Sequence, residues 1–437
     1  VALKDKNNAV TVIKGCHNIG KITGAANIAG IIGSATPGLM ITDCYNTGDI
    51  TGTGTAVGGF MGACSTIADK TVVTTVTSSY NTGNVSSKKS TIGGFVGDMN
   101  ETAAVFADCY NTGDVTVTGN YVGGFAGEWS GTAYRCYNAG NVKANGYGIG
   151  GFSGIAPGEI HECFNVGDVT STGSSSSSLA NAGGLWGYGY SRIYDSYNMG
   201  TVTAKALAGG INGRTYGGAV IDNTYNAGKV VVTDKTVVSN ITDLYKDQME
   251  LENCYYDSWV NPDVKSSTDE RATALSTRGL ALTSINDSTF RVVAGMYPTL
   301  KCFADNELAN WFAAIPVLAE GDTYDNVSKQ FVVGTPEGTE WTSSDNITIK
   351  DGVVSSTAIG EAWLTKKLGD RTKTYNFTVT KVSGIEDAYA SAQIIKSEYY
   401  SISGVALGEA RPSTAGIYVV KLTYDNGTTV SKKIVIK

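Results

Sequence analysis

The feature that most constrains this chain is a repeat of about 30 residues that is built from two short phrases. The first phrase is Cys or another small residue, an aromatic residue, Asn, any residue and Gly, as in CYNTGDI from Cys44 and CYNTGDV from Cys109. The second phrase is of the type GGFxG, as in GGFVG ending at Gly97. A unit of this length cannot bury a core alone, so its copies have to stack. Copies of the first phrase start at Cys16, Cys44, Ser79, Cys109, Cys136, Cys163, Ser196 and Thr224, with a degenerate ninth at Cys254.

The repeat unit predicts a parallel β-solenoid. Its pieces are four to six residues long and alternate in polarity, as in residues 114–118, and none has a helical period. We therefore predict an all-β chain in which each copy is one coil of a parallel β-helix of about nine coils, right-handed by the crossover preference. Length changes fall at two places of the period, residues 65–77 and the serine run 174–178, which predicts loops there.

Stacking in register predicts columns of equivalent residues with separate roles. One column is predicted to fill the core: Ile31, Phe60, Phe95, Phe125, Phe152, Leu185 and Ile211. A second inward column is Ile22, Ile50, Val85, Val115, Val142, Val169, Val202 and Val230. Asparagines before the turn glycine are predicted to bond backbone groups that the bend leaves unpaired; they are Asn18, Asn46, Asn81, Asn111, Asn138, Asn165, Asn198 and Asn226.

Two further features of the repeat concern its corners and its charges. The paired glycines are expected at tight corners, with positive φ or with close approach of neighbouring coils. The residue after each turn glycine is predicted to point outward, and in this column Asp49, Asp114 and Asp168 never lie next to another Asp. The alternation avoids the repulsion of stacked carboxylates and argues against a calcium site.

The composition excludes several classes of function. The chain has 33 basic and 40 acidic residues, so no basic field is present to bind nucleic acid or an anionic membrane. No apolar stretch approaches the ~20 residues that a membrane span requires. With 42% hydrophobic and 17% charged residues the chain is not of the disordered type. Only His17 and His161 are available for histidine-based catalysis or zinc binding, and we assign neither a catalytic role.

Six cysteines share the first repeat position with Ser79, Ser196 and Thr224. The exchange of Cys for Ser and Thr favours a column of small side chains with free thiols over a site of thiol chemistry. Disulfides between neighbouring coils, which would suit an exported protein, are one alternative. A zinc site made of Cys109, Cys136, Cys163 and His161 is the other. We predict no metal and no cofactor.

A column of aromatic residues follows the cysteine column and is the candidate ligand-binding surface. If the cysteines point inward, strand alternation directs the next residue outward. Exposed rings in this column could stack on sugar rings, whereas the alternative is a ladder whose rings cover one another. The candidate ligand-stacking residues are Tyr45, Tyr80, Tyr110, Tyr137, Phe164, Tyr197 and Tyr225, and the column continues to Tyr255.

The two phrases closely resemble the GLUG repeat of bacterial surface adhesins and of the stalks of IgA-protease-type proteins, from Cys16 to about Asp257. Such proteins often end their repeats with CYYD and a later YP-x-L phrase, similar to Cys254–Asp257 and Tyr297–Leu300. The resemblance implies a solenoid over residues 1–230 and a last coil and cap over 231–316. The zinc protease domain of such relatives is not expected, because His161-Glu162 has no second His one helical turn later.

The remaining chain resembles two other modules. The run from Trp341 to Thr365 is similar to bacterial Ig-like group 2 domains, which implies a small β-sandwich over residues 317–383 with strands near 331–333, 346–350, 352–354, 363–365 and 375–379. The phrases ISGVALGEA, GIYVVKL and VSKKIVIK resemble the C-terminal sorting domain of type IX-secreted proteins of Bacteroidota. That implies a terminal β-domain over residues 384–437 and export to the cell surface, against the plainer alternative of a small β-domain. The hairpin is predicted to turn at Asp425-Asn426-Gly427.

We therefore expect a non-enzymatic secreted or outer-membrane surface adhesin that presents a repeat-built face to a glycan or a host extracellular protein. It is expected to be a monomer, without nucleic acid and without membrane insertion. One alternative is a polysaccharide lyase or hydrolase on a β-helix, which is disfavoured because the outward Asp and Glu look spread along the stack. The other is a structural stalk of a larger IgA-protease-like protein. No basic-then-apolar signal peptide starts at Val1, so we expect either that a leader was removed or that the given chain begins inside a larger protein.

Overall fold

The structure is a computed structural model, and it divides the chain into two compact units. It describes residues 2–3, 10–67, 71–155, 157–173, 181–215, 217–234, 237–242, 249–264, 269–293, 295–313, 317–318, 321, 323–324, 338–350, 353–368, 371–380, 394–410, 412–424 and 429–436. The first unit comprises residues 1–318 and 322–379, and the second comprises residues 319–321 and 380–437. The predicted serine loop at 174–178, the turn at 425–427 and the predicted strand at 331–333 lie outside the described residues.

The repeats of the first unit form a parallel β-solenoid, as predicted, and it has about eight turns where about nine coils were predicted. Each coil contributes to five parallel sheets, named A to E in the order in which a coil passes through them. Sheet A consists of Ala2–Leu3, Ile32–Ala35, Met61–Cys64, Val96–Met99, Ala126–Trp129, Ser153–Ile155, Trp186–Gly189 and Asn212–Thr215. Sheet B consists of Thr11–Lys14, Leu39–Thr42, Thr75–Thr77, Val105–Ala107, Thr132–Tyr134, Glu159–His161, Arg192–Tyr194, Val220–Asp222 and Glu250–Glu252.

The other three sheets contain the turn asparagines and the corner glycines. Sheet C consists of His17–Asn18, Tyr45–Asn46, Tyr80–Asn81, Tyr110–Asn111, Tyr137–Asn138, Phe164–Asn165, Tyr197–Asn198, Tyr225–Asn226, Tyr255–Asp257 and Thr273–Leu275. Sheet D consists of Ile22–Gly24, Ile50–Gly52, Val85–Ser87, Val115–Val117, Val142–Ala144, Val169–Ser171, Val202–Ala204 and Val230–Val232. Sheet E consists of Val57–Gly58, Ile92–Gly93, Val122–Gly123, Ile149–Gly150, Asn181–Gly183, Leu207–Gly209 and Val237–Ser239. The degenerate ninth copy is a partial coil that extends sheets B and C.

The predicted apolar columns fill the solenoid. Phe60, Phe95, Phe125 and Phe152 are fully buried, and their rings stack at centroid distances of 4.5–4.9 Å. The second column, from Ile50 to Val230, is also buried and forms a separate cluster. At roughly 1.5–3 kcal/mol for each buried side chain, these columns supply the main stabilising term of every coil.

The asparagine column forms a continuous ladder of side-chain amides along the stack. Each Nδ2 donates to the carbonyl oxygen of the turn glycine two residues later, as from Asn111 to Gly113 at 2.8 Å. The same Nδ2 donates to the Oδ1 of the next asparagine, and these distances are 2.7–2.9 Å from Asn18 to Asn226. Except at the first coil, the amides are fully buried. The predicted role in bonding the turn backbone is therefore confirmed, and the amides also bond one another.

The outward column after the turn glycines is a second ladder, and it is exposed as predicted. The Oδ1 of Asp114 accepts the backbone N–H of Asn141 at 2.8 Å, and the Oδ1 of Asn141 accepts that of Asp168 at 3.1 Å. Asp and Asn serve equally well here because each offers a side-chain oxygen. Alternating them supplies the acceptor without placing carboxylates in adjacent coils.

Close approach, and not positive φ, explains the glycine after the asparagine. A Cβ on Gly113 would lie 2.0 Å from the carbonyl oxygen of Gly83 in the preceding coil. The left-handed backbone occurs instead at the residue before each cysteine position, for example Asp43 with φ 54° and Asp108 with φ 56°. Sequence reasoning missed this corner because residues other than glycine occupy it.

The solenoid is followed by a cap that packs against sheet C. The cap contains the 3₁₀ helices Asp269–Arg271 and Lys301–Phe303, helix α1 (Thr277–Ala281), helix α2 (Glu307–Ala313) and the antiparallel pair Phe290–Arg291 and Thr299–Leu300. Asp257, of the CYYD phrase, accepts hydrogen bonds from the hydroxyl groups of Thr277 and Tyr297, at 3.0 and 2.6 Å. The cap is thus fastened to the last repeat.

Two three-stranded antiparallel sheets complete the first unit. One contains Thr323–Tyr324, Ile347–Lys350 and Val353–Ser356, and the other contains Glu340–Ser343, Gly360–Leu368 and Arg371–Val379. Ile347 and Val354 of the first sheet share an apolar core with Leu364 and Phe377 of the second. The ammonium group of Lys366 is buried 3.9 Å from the ring centroid of Trp311 in helix α2, and burial lowers its pKa well below the usual value.

The second unit is a four-stranded antiparallel sheet, described by itself. Its strands are Ile394–Ser401, Ala406–Gly408, Gly416–Tyr424 and Thr429–Ile436. The last two strands pair antiparallel from Gly416 with Ile436 to Thr423 with Thr429, so they form a hairpin, as predicted. Within the described parts of the chain, the helices are too short or too polar to cross a membrane.

The glycine column gives a direct test of the stacking geometry. Gly113→Ala should lower the free energy of unfolding by about 2–3 kcal/mol, because the new methyl group would overlap the carbonyl of Gly83. Gly20→Ala is the matched control, since Gly20 holds the same repeat position and a Cβ there would meet nothing closer than 3.8 Å. Its effect should stay within about 0.5 kcal/mol. Urea unfolding measures both, and equal effects of the two substitutions would contradict the stacking geometry.

Candidate functional site

The aromatic column of sheet C lies in register along the stack. Tyr80 pairs with Tyr45 on one side and with Tyr110 on the other, and the pairing continues to Tyr225 and Tyr255. We call this column the aromatic stripe: His17, Tyr45, Tyr80, Tyr110, Tyr137, Phe164, Tyr197, Tyr225 and Tyr255. Its side chains point away from the solenoid core, as the alternation from the buried cysteine column predicts.

The rings of the stripe are stacked on one another. From His17 to Tyr225 the centroids of successive rings lie 4.7–5.1 Å apart and their planes differ by 2–15°. Each inner ring therefore has a neighbouring ring against both of its faces. The predicted stacking of sugars on these faces is wrong for the inner members, because the one-coil spacing fills the faces with other rings.

Four members of the stripe are also covered by the cap. Tyr137, Phe164, Tyr197 and Tyr225 are at most 1% exposed. Phe303 packs edge-on against the rings of Tyr137 and Phe164, at 5.7 and 5.1 Å between centroids. The hydroxyl group of Tyr225 donates to the carbonyl oxygen of Pro298. These four predicted ligand residues are therefore part of the interface with the cap and are not available to a ligand.

A change in the neighbouring column marks where the cap begins. From the second to the fourth coil, where the stripe is open, the residue after the asparagine is Thr47, Thr82 or Thr112, and from the fifth coil onward, where the cap covers the stripe, it is apolar. The first coil departs from this pattern with the exposed Ile19. The apolar residues are buried: Ala139, Val166, Met199 and Ala227. This switch from threonine to apolar residues is the sequence signal that would have located the covered half of the stripe.

The open half of the stripe borders a cleft of about 570 Å³. The solenoid wall contains the half-buried rings of Tyr80 and Tyr110, and the opposite wall contains Phe312 of helix α2. We call it the stripe cleft; it is lined by Thr47, Tyr80, Thr82, Tyr110, Thr112, Asp114, Ala139, Asn141, Leu308, Trp311, Phe312, Thr372 and Lys373. These residues carry aromatic rings, hydroxyl groups and an amide, a combination suited to hydrogen bonding with a polar ligand.

A lysine and a carboxylate supply the charge of the stripe cleft. The Nζ of Lys373, in strand Arg371–Val379, donates to the carbonyl oxygen of Val166 at 3.0 Å. The antiparallel sheet that contains this strand therefore contacts the solenoid at this point. Burial lowers the pKa of Lys373, while Asp168 and Asp114 oppose that shift. Lys373 and Asp114 are of opposite charge, so the cleft carries no strong net field.

The cysteine column is structural. The cysteines are free, and Cys44, Cys109, Cys136 and Cys163 are buried. The Sγ of Cys163 donates to the carbonyl oxygen of His161 at 3.2 Å, and the Oγ of Ser196 makes the equivalent bond at 2.7 Å. Burial raises the pKa of the Cys109 and Cys163 thiols. The shared bonding pattern explains why Ser and Thr replace Cys at this position.

Neither histidine belongs to the stripe cleft. His17 stacks on Tyr45 at the first coil. His161 lies on sheet B between the rings of Tyr134 and Tyr194, and its Nε2 is 2.6 Å from the carboxylate of Glu159. Among the described residues no group of three or more His, Cys, Asp and Glu side chains is arranged to hold a metal ion.

Sheet A contains a carboxylate pair that contradicts the expected spread of acidic residues. Asp98 and Glu128 are direct partners in adjacent coils. Burial raises the pKa of both carboxyl groups, and the charge of Asp98 raises that of Glu128 further. Sequence inspection missed the pair because it follows the second phrase, outside the column in which the carboxylates alternate with other residues.

Comparisons with known proteins found no match: no protein-family model, no curated protein and no solved structure corresponds to this chain.

The carboxylate pair predicts a specific dependence of stability on pH. The folded state raises both pKa values, so stability should fall as pH rises from about 4 through the raised values, because the unfolded chain releases these protons more readily. Asp98→Asn should therefore stabilise the protein at pH 7, by about 0.5–1 kcal/mol, and the gain should shrink toward pH 4. Urea unfolding at several pH values measures this difference.

Asp114→Asn is the control for this prediction. Asp114 lies between Asn84 and Asn141 in its column, so no carboxylate repulsion is relieved there. A gain of the same size for Asp114→Asn, or a gain for Asp98→Asn that does not change with pH, would contradict the assigned repulsion.

Proposed function

We propose that this chain is a non-enzymatic binding module of a secreted or cell-surface adhesin, and that the stripe cleft binds a glycan. The observation that carries the proposal is the cleft itself, where the open tyrosines of the solenoid face Phe312 of the cap. Its volume of about 570 Å³ lies in the range of ligand sites, and its walls combine apolar surface with a few polar groups. The resemblance to GLUG-repeat adhesins supports the same class of function.

The geometry of the stripe determines how a glycan would bind. Because the ring faces of Tyr80 and Tyr110 are stacked on neighbouring rings, the sugar contacts ring edges and hydroxyl groups. The hydroxyl groups of Thr82 and Thr112 add hydrogen-bonding partners one coil apart, about 4.8 Å, and the amide of Asn141 adds another from the outward column. A regular ladder of such groups favours an extended chain of hydroxyl-rich units over a single compact ligand.

Charge favours a neutral glycan. Asp114 and Lys373 offset one another within the stripe cleft, so neither a polyanion nor a polycation gains from the site as a whole. The mixed polarity also disfavours an apolar ligand, which would cover hydroxyl and amide groups of the cleft without offering them hydrogen bonds.

Binding of the full chain to immobilised neutral glycans and to extracellular matrix proteins tests the proposal. Tyr80→Phe combined with Tyr110→Phe keeps the stacked rings and removes the hydroxyl groups of two residues that line the cleft. The double variant should bind the glycan about tenfold more weakly, as expected for two neutral hydrogen bonds. Tyr45→Phe, in the same stack but outside the cleft, should change the affinity less than twofold.

Three outcomes would overturn the proposed site. The first is the absence of glycan binding by the full chain, which would favour a stalk. The second is binding confined to a matrix protein. The third is equal binding by the double variant and by Tyr45→Phe.

One observation favours a second candidate function, a glycoside hydrolase. Retaining glycosidases hold two carboxyl groups about 5–5.5 Å apart, and the adjacent-coil spacing of Asp98 and Glu128 is about 4.8 Å along the stack. Their raised pKa values would suit a general acid. However, neither residue lines the stripe cleft.

An assay for reducing ends released from polysaccharides separates the two functions. We expect no turnover by the full chain. Turnover that is lost in both Asp98→Asn and Glu128→Gln would replace the adhesin proposal by the hydrolase.

A further inference from the structure

An exposed tryptophan marks a second cleft in the first unit, away from the stripe cleft. Trp363 lies in the strand Gly360–Leu368, where Ala362 and Leu364 point into the apolar core and Trp363 points away from it. The residue is 38% exposed, whereas Tyr80 and Tyr110 are half-buried. A large aromatic side chain held outward on a paired strand is costly to expose to water, and it gains most from a ligand that covers it.

The indole ring of Trp363 differs from the tyrosine rings of the stripe in its stacking. Within the described parts of the chain, no other aromatic ring is stacked on Trp363, in contrast to the inner rings of the stripe. The backbone of the residue is fixed on both sides: its N–H and carbonyl bond to Ser344, at 3.0 Å each, and the strand pairs with Asn376 opposite Trp363. The platform is therefore rigid before a ligand binds, which lowers the entropic cost of binding.

Polar groups surround this platform in a cleft of about 450 Å³. Glu361, Asn376 and Thr378 lie on the same two strands as Trp363, and Glu361 accepts a hydrogen bond from the Thr378 hydroxyl group at 3.2 Å. Lys229, from the outward column of the solenoid, also lines the cleft. The cleft thus contains carboxylate, amide, hydroxyl and ammonium groups around one indole, and the charges of Glu361 and Lys229 offset each other.

We propose that this second cleft binds a neutral oligosaccharide, with one sugar ring lying on the indole of Trp363. The apolar C–H face of a sugar matches the indole, and its hydroxyl groups can both donate to Glu361 and accept from Asn376 and Lys229. A cationic ligand would be opposed by Lys229, and an anionic ligand by Glu361. The proposal concerns different residues from the stripe cleft, so the two sites can fail separately.

The test is calorimetric titration of the full chain with neutral hexasaccharides of glucose, mannose and galactose. Trp363→Ala should weaken the binding of the recognised hexasaccharide at least tenfold, and Trp363→Phe should recover part of the loss because it restores an aromatic face. Trp259→Ala is the matched control, since Trp259 is 41% exposed and does not line the cleft. It should leave the affinity unchanged within twofold.

The readout separates this site from the stripe cleft. Tyr80→Phe combined with Tyr110→Phe should leave the Trp363-dependent binding intact. Far-ultraviolet circular dichroism should show that the Trp363 variants are folded, since the side chain is exposed. The proposal is overturned if none of the hexasaccharides binds at millimolar concentration, if Trp363→Ala binds as well as the unsubstituted chain, or if Trp259→Ala has the same effect as Trp363→Ala.

Discussion

The structure depends on the register between coils, and the buried asparagine ladder is the interaction that holds it. An unsatisfied amide in the interior costs about 1–3 kcal/mol, so a coil that slipped by one residue would leave two amides and a turn carbonyl without partners. The ladder ends at Asn226, because the ninth copy has Tyr256 at the paired position. There the side chain of Asn261 donates to the carbonyl oxygen of Gly228 and accepts from the backbone N–H of Val230. Register then decides which residues become neighbours everywhere else on the solenoid.

The same register sets what the surface can do. Because identical positions lie one coil apart, an aromatic at such a position stacks on its neighbours and gives up its ring faces, as Tyr80 does between Tyr45 and Tyr110. Ligand contacts are therefore expected where the repetition is interrupted. The stripe cleft forms where the cap stops covering the column, and the second cleft forms where strand Gly360–Leu368 meets the solenoid. Both proposed sites lie at such interruptions.

Most of the solenoid could be predicted from the sequence, because each column repeats one side chain for one physical reason. The phenylalanine column, the asparagine column and the alternation around Asp114 all follow from local chemistry. The occluded ring faces could also have been derived, since a spacing of about 4.8 Å leaves no room for a sugar between two rings. The partnership of Asp98 with Glu128 could be read by aligning the residues after the second phrase.

The covered half of the stripe and the Trp363 cleft, in contrast, could not be predicted from the repeat pattern. They depend on where the cap and the antiparallel sheets pack against the solenoid, and those contacts join residues far apart in sequence, such as Tyr225 and Pro298 or Lys373 and Val166. The change from Thr112 to Ala139 indicates where the cap begins, but it does not indicate which residues of the cap cover the stripe. Packing between dissimilar elements leaves no periodic pattern in the sequence. The repeat therefore does not predict which stripe residues are covered or where the Trp363 cleft forms.

The most direct measurement of the central claim is hydrogen exchange of the asparagine side-chain amides in a sample labelled with ¹⁵N-asparagine. If the coils are held in register by the buried ladder, the NH₂ groups of Asn46 to Asn226 should exchange only through global unfolding, on the timescale of the core backbone amides. The exposed amide of Asn376 provides the fast reference in the same spectrum. Exchange of the ladder amides as fast as that of Asn376 would contradict the account.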